Sequence, residues 1–174
     1  MTHFLIAVDL QNDFIDGALG TNEALGIVPA AADRILRHDG KIIATLDTHG
    51  ADYLKSAEGR ALPVEHCIKG THGWRINDKI KAALDEKDCV YLEKPTFGSV
   101  KLPEIIENEA NGEEFDITLI GLCTDICVVS NALLLKAHFS ECDIVVDSAC
   151  CAGVTPDNHN AALLTMKMCQ IRVI

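Results

Sequence analysis

The chain has 174 residues, 48% of them hydrophobic, and a formal net charge of −11 at pH 7. This length suits one domain with a core large enough to need no disulfide or metal for stability, so we expect a single domain over residues 1–174. No apolar run reaches the roughly 18 residues that cross a bilayer. The acidic balance disfavours nucleic acids and anionic membranes as partners, because both bind basic surfaces.

The eight cysteines indicate reduced thiols rather than a disulfide framework. They fall mostly in apolar segments, and the first nine residues enter a strand-like run without a basic leader or a cleavage site. We therefore expect a cytoplasmic protein. Free cysteines are most often small buried side chains. We interpret seven of the eight in that way: Cys67, Cys89, Cys142, Cys150, Cys151, Cys169 and the side chain of Cys123.

Six short apolar runs alternate with helical patterns along the chain. Nearly continuous hydrophobicity is typical of parallel strands covered on both faces. The alternation predicts a three-layer α/β/α fold around a six-stranded parallel sheet. The predicted strands are Phe4–Leu10, Lys41–Leu46, Cys89–Leu92, Asp116–Ile120, Asp143–Val146 and Ile171–Ile174. The predicted helices are Glu23–His38, Ile76–Leu84, Leu102–Asn108, Thr124–Phe139 and Asp157–Met168.

Polar residues follow the predicted strands at the points where ligands bind in such sheets. The first strand is followed by Asp9, the second by Asp47, the third by Lys94 and the fourth by Gly121 with its cysteines. The carboxyl ends of parallel strands share one edge of the sheet, so these groups are expected to converge. The long irregular segment Asp47–Trp74, rich in His, Asp and Gly, is also expected to be functional.

The stretch GLCTDICVVS carries two cysteines four residues apart. Thr124 is a typical N-cap residue, and a helix starting after it places Cys127 at its third position. Free backbone amides and the helix dipole then favour a thiolate at Cys127. Cys123 precedes that helix, so its amide can point to the same place. We interpret Cys127 as a nucleophile and the two backbone amides as a candidate oxyanion hole.

Two further groups on the same edge can support a cysteine nucleophile. Asp9 can accept the thiol proton and later protonate a leaving amine, provided that burial raises its pKa. Lys94 can stabilise the thiolate by its charge. Taken singly, Asp9 is as compatible with a loop cap and Lys94 with an exposed lysine, and it is their convergence with Cys127 that favours catalysis.

Three segments resemble the signature segments of the isochorismatase-like cysteine hydrolases, the superfamily that includes nicotinamidases. They are VDLQNDF at Val8–Phe14, EKPTFGS at Glu93–Ser99 and GLCTDICV at Gly121–Val128. They occur in the family's order over nearly the whole chain. The resemblance implies the isochorismatase-like hydrolase fold and hydrolysis of a small amide such as nicotinamide, to nicotinate and ammonia, through a cysteine acyl-enzyme.

The resemblance also implies roles for particular residues. Asp9, Lys94 and Cys127 correspond to the family's catalytic triad. A cis peptide bond is implied between Leu122 and Cys123, which would direct the Cys123 and Cys127 amides toward one oxyanion. The family places aromatic walls of its substrate pocket at Phe14 and Phe97.

The loop segments LDTHG and PVEHCIKGTHGW resemble the metal-binding part of the nicotinamidases. This implies Asp47, His49 and His66 as ligands, with Glu58 as a possible fourth. One carboxylate and two imidazoles suit zinc, and also iron or manganese. Asp-x-His alone is a weak signal, and exposed side chains are the alternative. The remaining histidines are interpreted as structural or solvent-facing: His3, His38, His72, His138 and His159.

One departure from the family concerns the substrate. Many nicotinamidases carry a tryptophan shortly before the second metal-ligating segment, where it stacks on the pyridine ring. Here that place reads Ala61–Glu65, ALPVE, and Trp74 comes after His66. The sequence therefore does not predict strict specificity for nicotinamide.

Other functions fit parts of the sequence. A second hypothesis is a hydrolase of another small amide, a carbamoyl or ureido compound, or an isochorismate-type vinyl ether, although the last need not use a nucleophilic cysteine. A third is a non-catalytic metal- or thiol-binding protein, which the Cys-x-x-x-Cys spacing does not favour. A nucleotide-binding Rossmann domain lacks its glycine-rich turn here. A homo-oligomer acting on a small molecule is the expected assembly, by analogy with the family.

Overall fold

The computed structural model describes residues 1–174 and contains one six-stranded, entirely parallel sheet. The spatial order of the strands is β3-β2-β1-β4-β5-β6, so the chain builds one half of the sheet and then crosses over to build the other. The strands are β1 (Thr2–Val8), β2 (Lys41–Asp47), β3 (Cys89–Lys94), β4 (Phe115–Leu122), β5 (Ile144–Ala152) and β6 (Arg172–Val173).

Seven α-helices accompany the sheet. They are α1 (Asn12–Ile15), α2 (Asn22–Leu36), α3 (Ala57–Ala61), α4 (Asp78–Asp85), α5 (Leu102–Ala110), α6 (Val129–His138) and α7 (Pro156–Met168). A 3₁₀ turn at Tyr53–Lys55 and a π-helical turn at Thr124–Val128 complete the regular structure. None of the helices combines the length and the apolar character of a membrane-spanning segment.

The sheet separates two hydrophobic cores. Side chains alternate along β1, so that Leu5 and Ala7 join the core beneath α2 and α4, while Phe4, Ile6 and Val8 join the core beneath α5, α6 and α7. A strand buried on both faces must be apolar at every position, which explains the uninterrupted hydrophobic run. The three-layer α/β/α prediction is confirmed.

Gly121 keeps β1 and β4 close together at the edge where the polar residues collect. It pairs with Val8 across the two strands and has φ of 119°. A Cβ atom there would lie 2.1 Å from the Val8 carbonyl oxygen. Only glycine fits both the backbone angle and the contact, so the segments that follow these two strands start close to each other.

The predicted elements differ from the observed ones mainly at their ends. The first strand stops at Val8 instead of Leu10, because Asp9 has φ of 47° and turns the chain. β5 continues to Ala152, past the predicted end at Val146. The short helices α1 and α3 were not predicted, because four or five residues carry no detectable helical period.

The prediction that Thr124 caps a single long helix is wrong. Cys123 occupies the cap position, and the segment begins as a π-helical turn before α6 continues it. The Thr124 hydroxyl instead lies 2.8 Å from Nδ1 of His159. The Val128 amide donates to the Cys123 carbonyl five residues earlier, the pattern of a π-turn. Cys127 is therefore the fourth residue of the turn rather than the third of an α-helix.

All eight cysteines are free thiols, as predicted. Cys67, Cys150 and Cys151 are buried, whereas Cys89, Cys123 and Cys142 are only partly buried. Cys169 is exposed, so the interpretation as a buried side chain is wrong there. It lies immediately after the last residue of α7, where the chain turns toward β6 at the surface.

Candidate active site and metal-ligating cluster

Asp9, Lys94 and Cys127 lie together at the carboxyl edge of the sheet. Asp9 follows β1, Lys94 is the last residue of β3, and Cys127 belongs to the π-helical turn after β4. Lys94 Nζ lies 2.5 Å from Asp9 Oδ2 and 3.6 Å from Cys127 Sγ. The three residues are 0%, 1% and 4% exposed, respectively. The structure thus brings all three predicted side chains into one buried cluster, which we call the triad cluster.

The backbone and one hydroxyl hold the Asp9 carboxylate in place. Asp9 has the left-handed backbone conformation, which a non-glycine residue rarely adopts and which is often retained at functional sites. Thr45, on the neighbouring strand β2, donates its hydroxyl proton to Asp9 Oδ1 at 2.6 Å. Lys94 also donates to the Thr96 carbonyl at 3.0 Å, and this bond helps to hold the ammonium between Asp9 and Cys127.

The electrostatics of the triad cluster follow from burial. Desolvation raises the pKa of Asp9 above its ordinary value, although the Lys94 charge partly offsets this. Burial likewise raises the pKa of the Cys127 thiol, with a further rise from Asp9 and an opposing effect from Lys94. Burial opposes the charged form of Lys94, yet Asp9, Cys127 and Asp47 raise its pKa overall. Burial thus opposes the thiolate that the free amides of the turn favour, and a base in contact with the thiol helps to form it.

The neighbouring cysteine has a different environment. Burial raises the pKa of Cys123 to about 12, so its sulfur is a poor nucleophile at neutral pH. The peptide bond between Leu122 and Cys123 is cis, as the resemblance implied.

Asn131 is a buried residue of this site that the sequence reasoning missed. It is 0% exposed, and its side-chain amide donates to the carbonyl oxygens of Cys127, at 2.8 Å, and Phe97, at 3.2 Å. Its side-chain oxygen accepts from the Ser99 amide at 3.0 Å. Asn131 therefore ties the loop after β3 to the Cys127 turn. A polar residue inside the otherwise apolar pattern of α6 was the available signal.

A second cluster, which we call the metal cluster, consists of Asp47, His49, Glu58 and His66. One ligand atom from each residue lies within 4.8 Å of every other. Asp47 Oδ2 is 2.9 Å from His49 Nε2 and 3.5 Å from His66 Nε2. Glu58 Oε1 lies 3.7 Å and 3.5 Å from the same two nitrogens. The structure brings together the three predicted ligands and the fourth candidate.

The donor set and its spacing fit a divalent metal ion. Ligands about 2.0–2.2 Å from a tetrahedral zinc ion are about 3.4 Å apart, close to the separations observed here. His66 Nδ1 lies 2.8 Å from the Val64 carbonyl, which calls for a proton on Nδ1 and leaves a lone pair on Nε2, the atom that faces the cluster. Two carboxylates and two imidazoles of this geometry suit zinc, iron or manganese.

The charges of the metal cluster influence one another. Burial alone would raise the pKa of Asp47, but His49, His66 and Lys94 lower it well below its ordinary value. Burial and the Asp47 charge raise the pKa of Glu58. Lys94 Nζ lies 3.9 Å from Asp47 Oδ1. The triad cluster and the metal cluster therefore form one continuous group of charges.

A cavity of about 570 Å³ opens beside the metal cluster, and its lining includes His49, Glu58, Leu62 and Phe97. Phe97 is 46% exposed, in keeping with a wall of an open pocket. Phe14, the second predicted aromatic wall, does not line this cavity. It is 7% exposed, and its ring centroid lies 5.6 Å from that of His66.

Trp74 does not take the place of the missing tryptophan. Its indole Nε1 donates to the Thr48 hydroxyl at 2.9 Å, and the ring lines a separate cavity with Tyr91. The cavity beside the metal cluster is lined by Ala61 and Leu62 at the position in question.

The remaining histidines lie outside the two clusters. Three of them have partners away from the carboxyl edge of the sheet: His3 contacts Asp116, His38 contacts the His3 carbonyl, and His138 contacts Glu107. His72 accepts a hydrogen bond through its backbone carbonyl from Asn12. His159 contacts the Cys127 turn through Thr124.

The fold and the site together define an α/β protein with a buried aspartate–lysine–cysteine cluster beside a carboxylate–histidine cluster. The family described as the isochorismatase domain matches residues 3–174. The chain therefore belongs to the isochorismatase family.

Relatives with a name or a solved structure agree with this assignment. The nicotinamidase of Schizosaccharomyces pombe is 28% identical over 211 aligned positions, covering 98% of this chain and 91% of the relative. The crystal structure of nicotinamidase/pyrazinamidase PncA from Bacillus subtilis has a TM-score of 0.81 and 28% identity, covering 99% of both chains. The pyrazinamidase of Pyrococcus horikoshii in complex with zinc shares the fold, with a TM-score of 0.82, 24% identity and coverage of 100% of this chain and 99% of that one.

Proposed function

We propose that the chain is a cysteine amidohydrolase that converts nicotinamide into nicotinate and ammonia. The observation that carries this proposal is the buried contact of Lys94 with both Asp9 and Cys127, at 2.5 Å and 3.6 Å. A carboxylate, an ammonium and a thiol held together without solvent have few structural uses, because burying charged groups is costly. The names of the relatives described above support nicotinamide as the substrate.

The first half of the proposed reaction forms an acyl-enzyme. Asp9 accepts the proton of the Cys127 thiol, and the thiolate sulfur attacks the amide carbonyl carbon. Burial raises the pKa of Asp9, so its carboxylate is a stronger base than an exposed one. Asp9 then gives this proton to the leaving nitrogen as the carbon–nitrogen bond breaks, and ammonia departs.

The second half hydrolyses the thioester. Asp9 removes a proton from a water molecule, and the resulting hydroxide attacks the acyl carbon. The carbon–sulfur bond breaks, nicotinic acid leaves and loses its proton to solvent, and Asp9 returns its proton to Cys127. In both halves the Lys94 ammonium lowers the energy of the thiolate. We assign the oxyanion to the backbone amides of Cys123 and Cys127.

We further propose that Asp47, His49 and His66 bind a divalent metal, with Glu58 as a fourth ligand. The donor set and the separations favour zinc, with iron or manganese as alternatives. When bound, the ion would act as a Lewis acid and hold a donor atom of the substrate. Phe97, exposed in the cavity, is proposed to contact the substrate ring, and Phe14 to support the pocket from behind His66.

The test is ammonia release from nicotinamide by purified protein, measured together with zinc, iron and manganese content. The matched control is Cys127→Ser, which keeps the size of the side chain and replaces the thiol. We expect release by the wild type and loss with the variant. An unchanged rate in the variant would reject the cysteine mechanism.

A second substrate class is favoured by the cavity beside the metal cluster. Ala61 and Leu62 line it where many nicotinamidases have a stacking tryptophan, so a pyridine ring is less closely enclosed. Another small amide or a carbamoyl compound is the alternative substrate for the same nucleophile. Ammonia release that depends on Cys127 and occurs with such compounds but not with nicotinamide would favour this alternative.

The family resemblance also supports a cytoplasmic homo-oligomer formed from single-domain chains. Native mass spectrometry of the purified protein tests the assembly, and a monomer at micromolar concentration would reject it.

A further inference from the structure

We propose that Gln11, the N-cap of α1, and Asp13, in the single turn of that helix, are positioning residues that set the relative placement of Asp47 and His66 in the metal cluster. This inference depends on the proposed metal site. The two ligands lie on different segments of a long loop region, one at the end of β2 and the other after α3. Backbone hydrogen bonds of His49 with Cys67 and Lys69 join the two segments directly, and α1 adds bonds to both segments from a third part of the chain.

Gln11 holds the Asp47 segment by its backbone. The Gln11 side chain is fully buried, its oxygen accepts from the Asp47 amide at 2.8 Å, and its nitrogen donates to the Asp47 carbonyl at 2.8 Å. The same nitrogen donates to the Trp74 carbonyl at 2.8 Å. The primary amide therefore pairs with Asp47 as a neighbouring strand would, and leaves the Asp47 carboxylate free to face the two histidines.

Asp13 holds the His66 segment in the same manner. Its Oδ2 accepts from the backbone amide of Cys67, the residue after His66, at 2.7 Å. Cys67 is fully buried with φ of 47°, a conformation that a non-glycine residue keeps only when its surroundings hold it there. The Cys67 carbonyl also accepts from the His49 amide at 3.0 Å. Through Cys67, Asp13 is therefore linked to two of the proposed ligands, His66 and His49.

The loop is shaped to receive the Asp13 carboxylate. A Cβ atom at Gly73 would lie 2.0 Å from Asp13 Oδ2, so this position must lack a side chain while Asp13 stays where it is. The Asp13 amide in turn donates to the Gly73 carbonyl at 3.0 Å.

Asn12, between the two proposed residues, makes a different contact. Its side chain donates only to the carbonyl of His72, at 2.9 Å, and His72 belongs to neither cluster. Three consecutive residues of one turn thus bond three parts of the loop region, and two of these parts carry metal ligands. Asn12 offers a matched control within the same turn.

The experiment compares Co²⁺ binding by the wild type with Gln11→Met, Asp13→Ala and Asn12→Ala. Gln11→Met keeps the size of the side chain and removes all three bonds, and Asp13→Ala removes the acceptor of the Cys67 amide. Affinity is measured by titration of the visible absorption of Co²⁺, whose intensity and band positions report ligand geometry. The thermal unfolding midpoint of each metal-free protein is also measured, because it shows whether a variant destabilises the fold independently of metal binding.

We expect Gln11→Met and Asp13→Ala to weaken Co²⁺ binding by about 10–100-fold, the usual effect of losing an outer partner of a metal ligand, and to change the spectrum. Asn12→Ala should bind Co²⁺ with an affinity close to that of the wild type, because the Asn12 side chain bonds only to His72, which belongs to neither cluster. Should Gln11→Met fail to fold, Asp13→Ala alone decides, because Asp13 is only partly buried.

Equal affinities and spectra for the wild type and the two positioning variants would overturn the proposal. So would an equal loss in Asn12→Ala, because any damage to the turn would then have the same effect. A wild type that binds no Co²⁺ would overturn the metal site and this role together. A protein that follows the expected order of affinities but hydrolyses no amide would reject the proposed function alone.

Discussion

The triad cluster and the metal cluster lie side by side but are held in different ways. Asp9 and Lys94 directly follow or end strands of the sheet, and Cys127 lies in the turn after a third strand, so strand register determines their placement. The metal cluster spans β2, α3 and the irregular chain after it. Its geometry depends on side-chain bonds to backbone atoms of the loop. We therefore expect changes in the loop to displace His49, Glu58 and His66 more than Asp9, Lys94 and Asp47, which follow or end strands.

The two clusters also differ in charge. In the triad cluster the Lys94 ammonium balances Asp9 at 2.5 Å. The metal cluster has two carboxylates, Asp47 and Glu58, and histidines whose nitrogens face them. Buried carboxylates are normally paired or bound to metal. The first cluster thus pairs its charges within the chain, while the second has the donor set of a cation site.

The largest effect should come from the nucleophile of the triad cluster. Replacing Cys127 by alanine is expected to lower kcat for amide hydrolysis by about 10⁴-fold or more, as removal of a nucleophile does elsewhere. Zinc content should not change, because Cys127 is not part of the metal cluster. Steady-state kinetics and metal analysis on one sample check both points. Loss of the metal in this variant would contradict the assignment of the metal to Asp47, His49, Glu58 and His66.

The next effect concerns the ion pair within the triad cluster. Lys94→Met leaves Asp9 buried without its counter-ion and should destabilise the fold by about 3–5 kcal/mol. Combining it with Asp9→Asn should recover a large part of this loss, since no charge is then left unpaired. Urea unfolding of the four proteins gives the coupling free energy. Additive effects would mean that the pair makes no specific interaction.

Removing a ligand should greatly reduce the stabilisation by metal. Zinc at 100 times its Kd should stabilise the wild type by about 2.7 kcal/mol. If His66→Ala binds about 100-fold more weakly, the same zinc concentration should stabilise it by only about 0.4 kcal/mol. Thermal unfolding with and without zinc measures this, and His138→Ala, a surface histidine, is the control. An equal shift in both variants would place the metal elsewhere.

A smaller effect is expected at Glu58, the most exposed member of the metal cluster, whose side chain is 21% exposed. Glu58→Gln keeps the size of the side chain and removes its charge. Zinc affinity should fall by about tenfold or less, because water can replace an exposed ligand. Competition with a chelator measures the change. A loss as large as that of His66→Ala would make Glu58 an equal ligand.

The smallest effect should lie outside both clusters and depend on pH. Burial lowers the pKa of His38 below its ordinary value of about 6.5. The folded protein then binds a proton less readily than the unfolded chain, so this residue favours folding above pH 6.5 or so and loses its contribution as pH falls below that value. His38→Gln should flatten the stability profile between about pH 6.5 and 5. A profile that keeps the wild-type slope would contradict this assignment.

Several features could be predicted because they depend on local chemistry. The alternation of apolar runs and helical patterns determined the α/β/α class, and the polar residues after each strand determined which edge carries the site. The shared location of Asp9 and Lys94 could be predicted without the strand order, because the carboxyl ends of parallel strands always share an edge of the sheet. The family resemblance supplied the cis peptide and the candidate metal ligands.

Other features depend on contacts between residues far apart in the chain. The roles of Gln11, Asp13 and Asn131 in binding backbone atoms of other segments are visible only once those segments are folded together. The raised pKa of Cys127 has the same origin, because burial and the Asp9 carboxylate oppose the thiolate that the turn by itself favours. Local sequence thus determined which groups occupy the edge of the sheet, and the tertiary structure decided their contacts and charge states, because desolvation and long-range hydrogen bonds exist only in the packed protein.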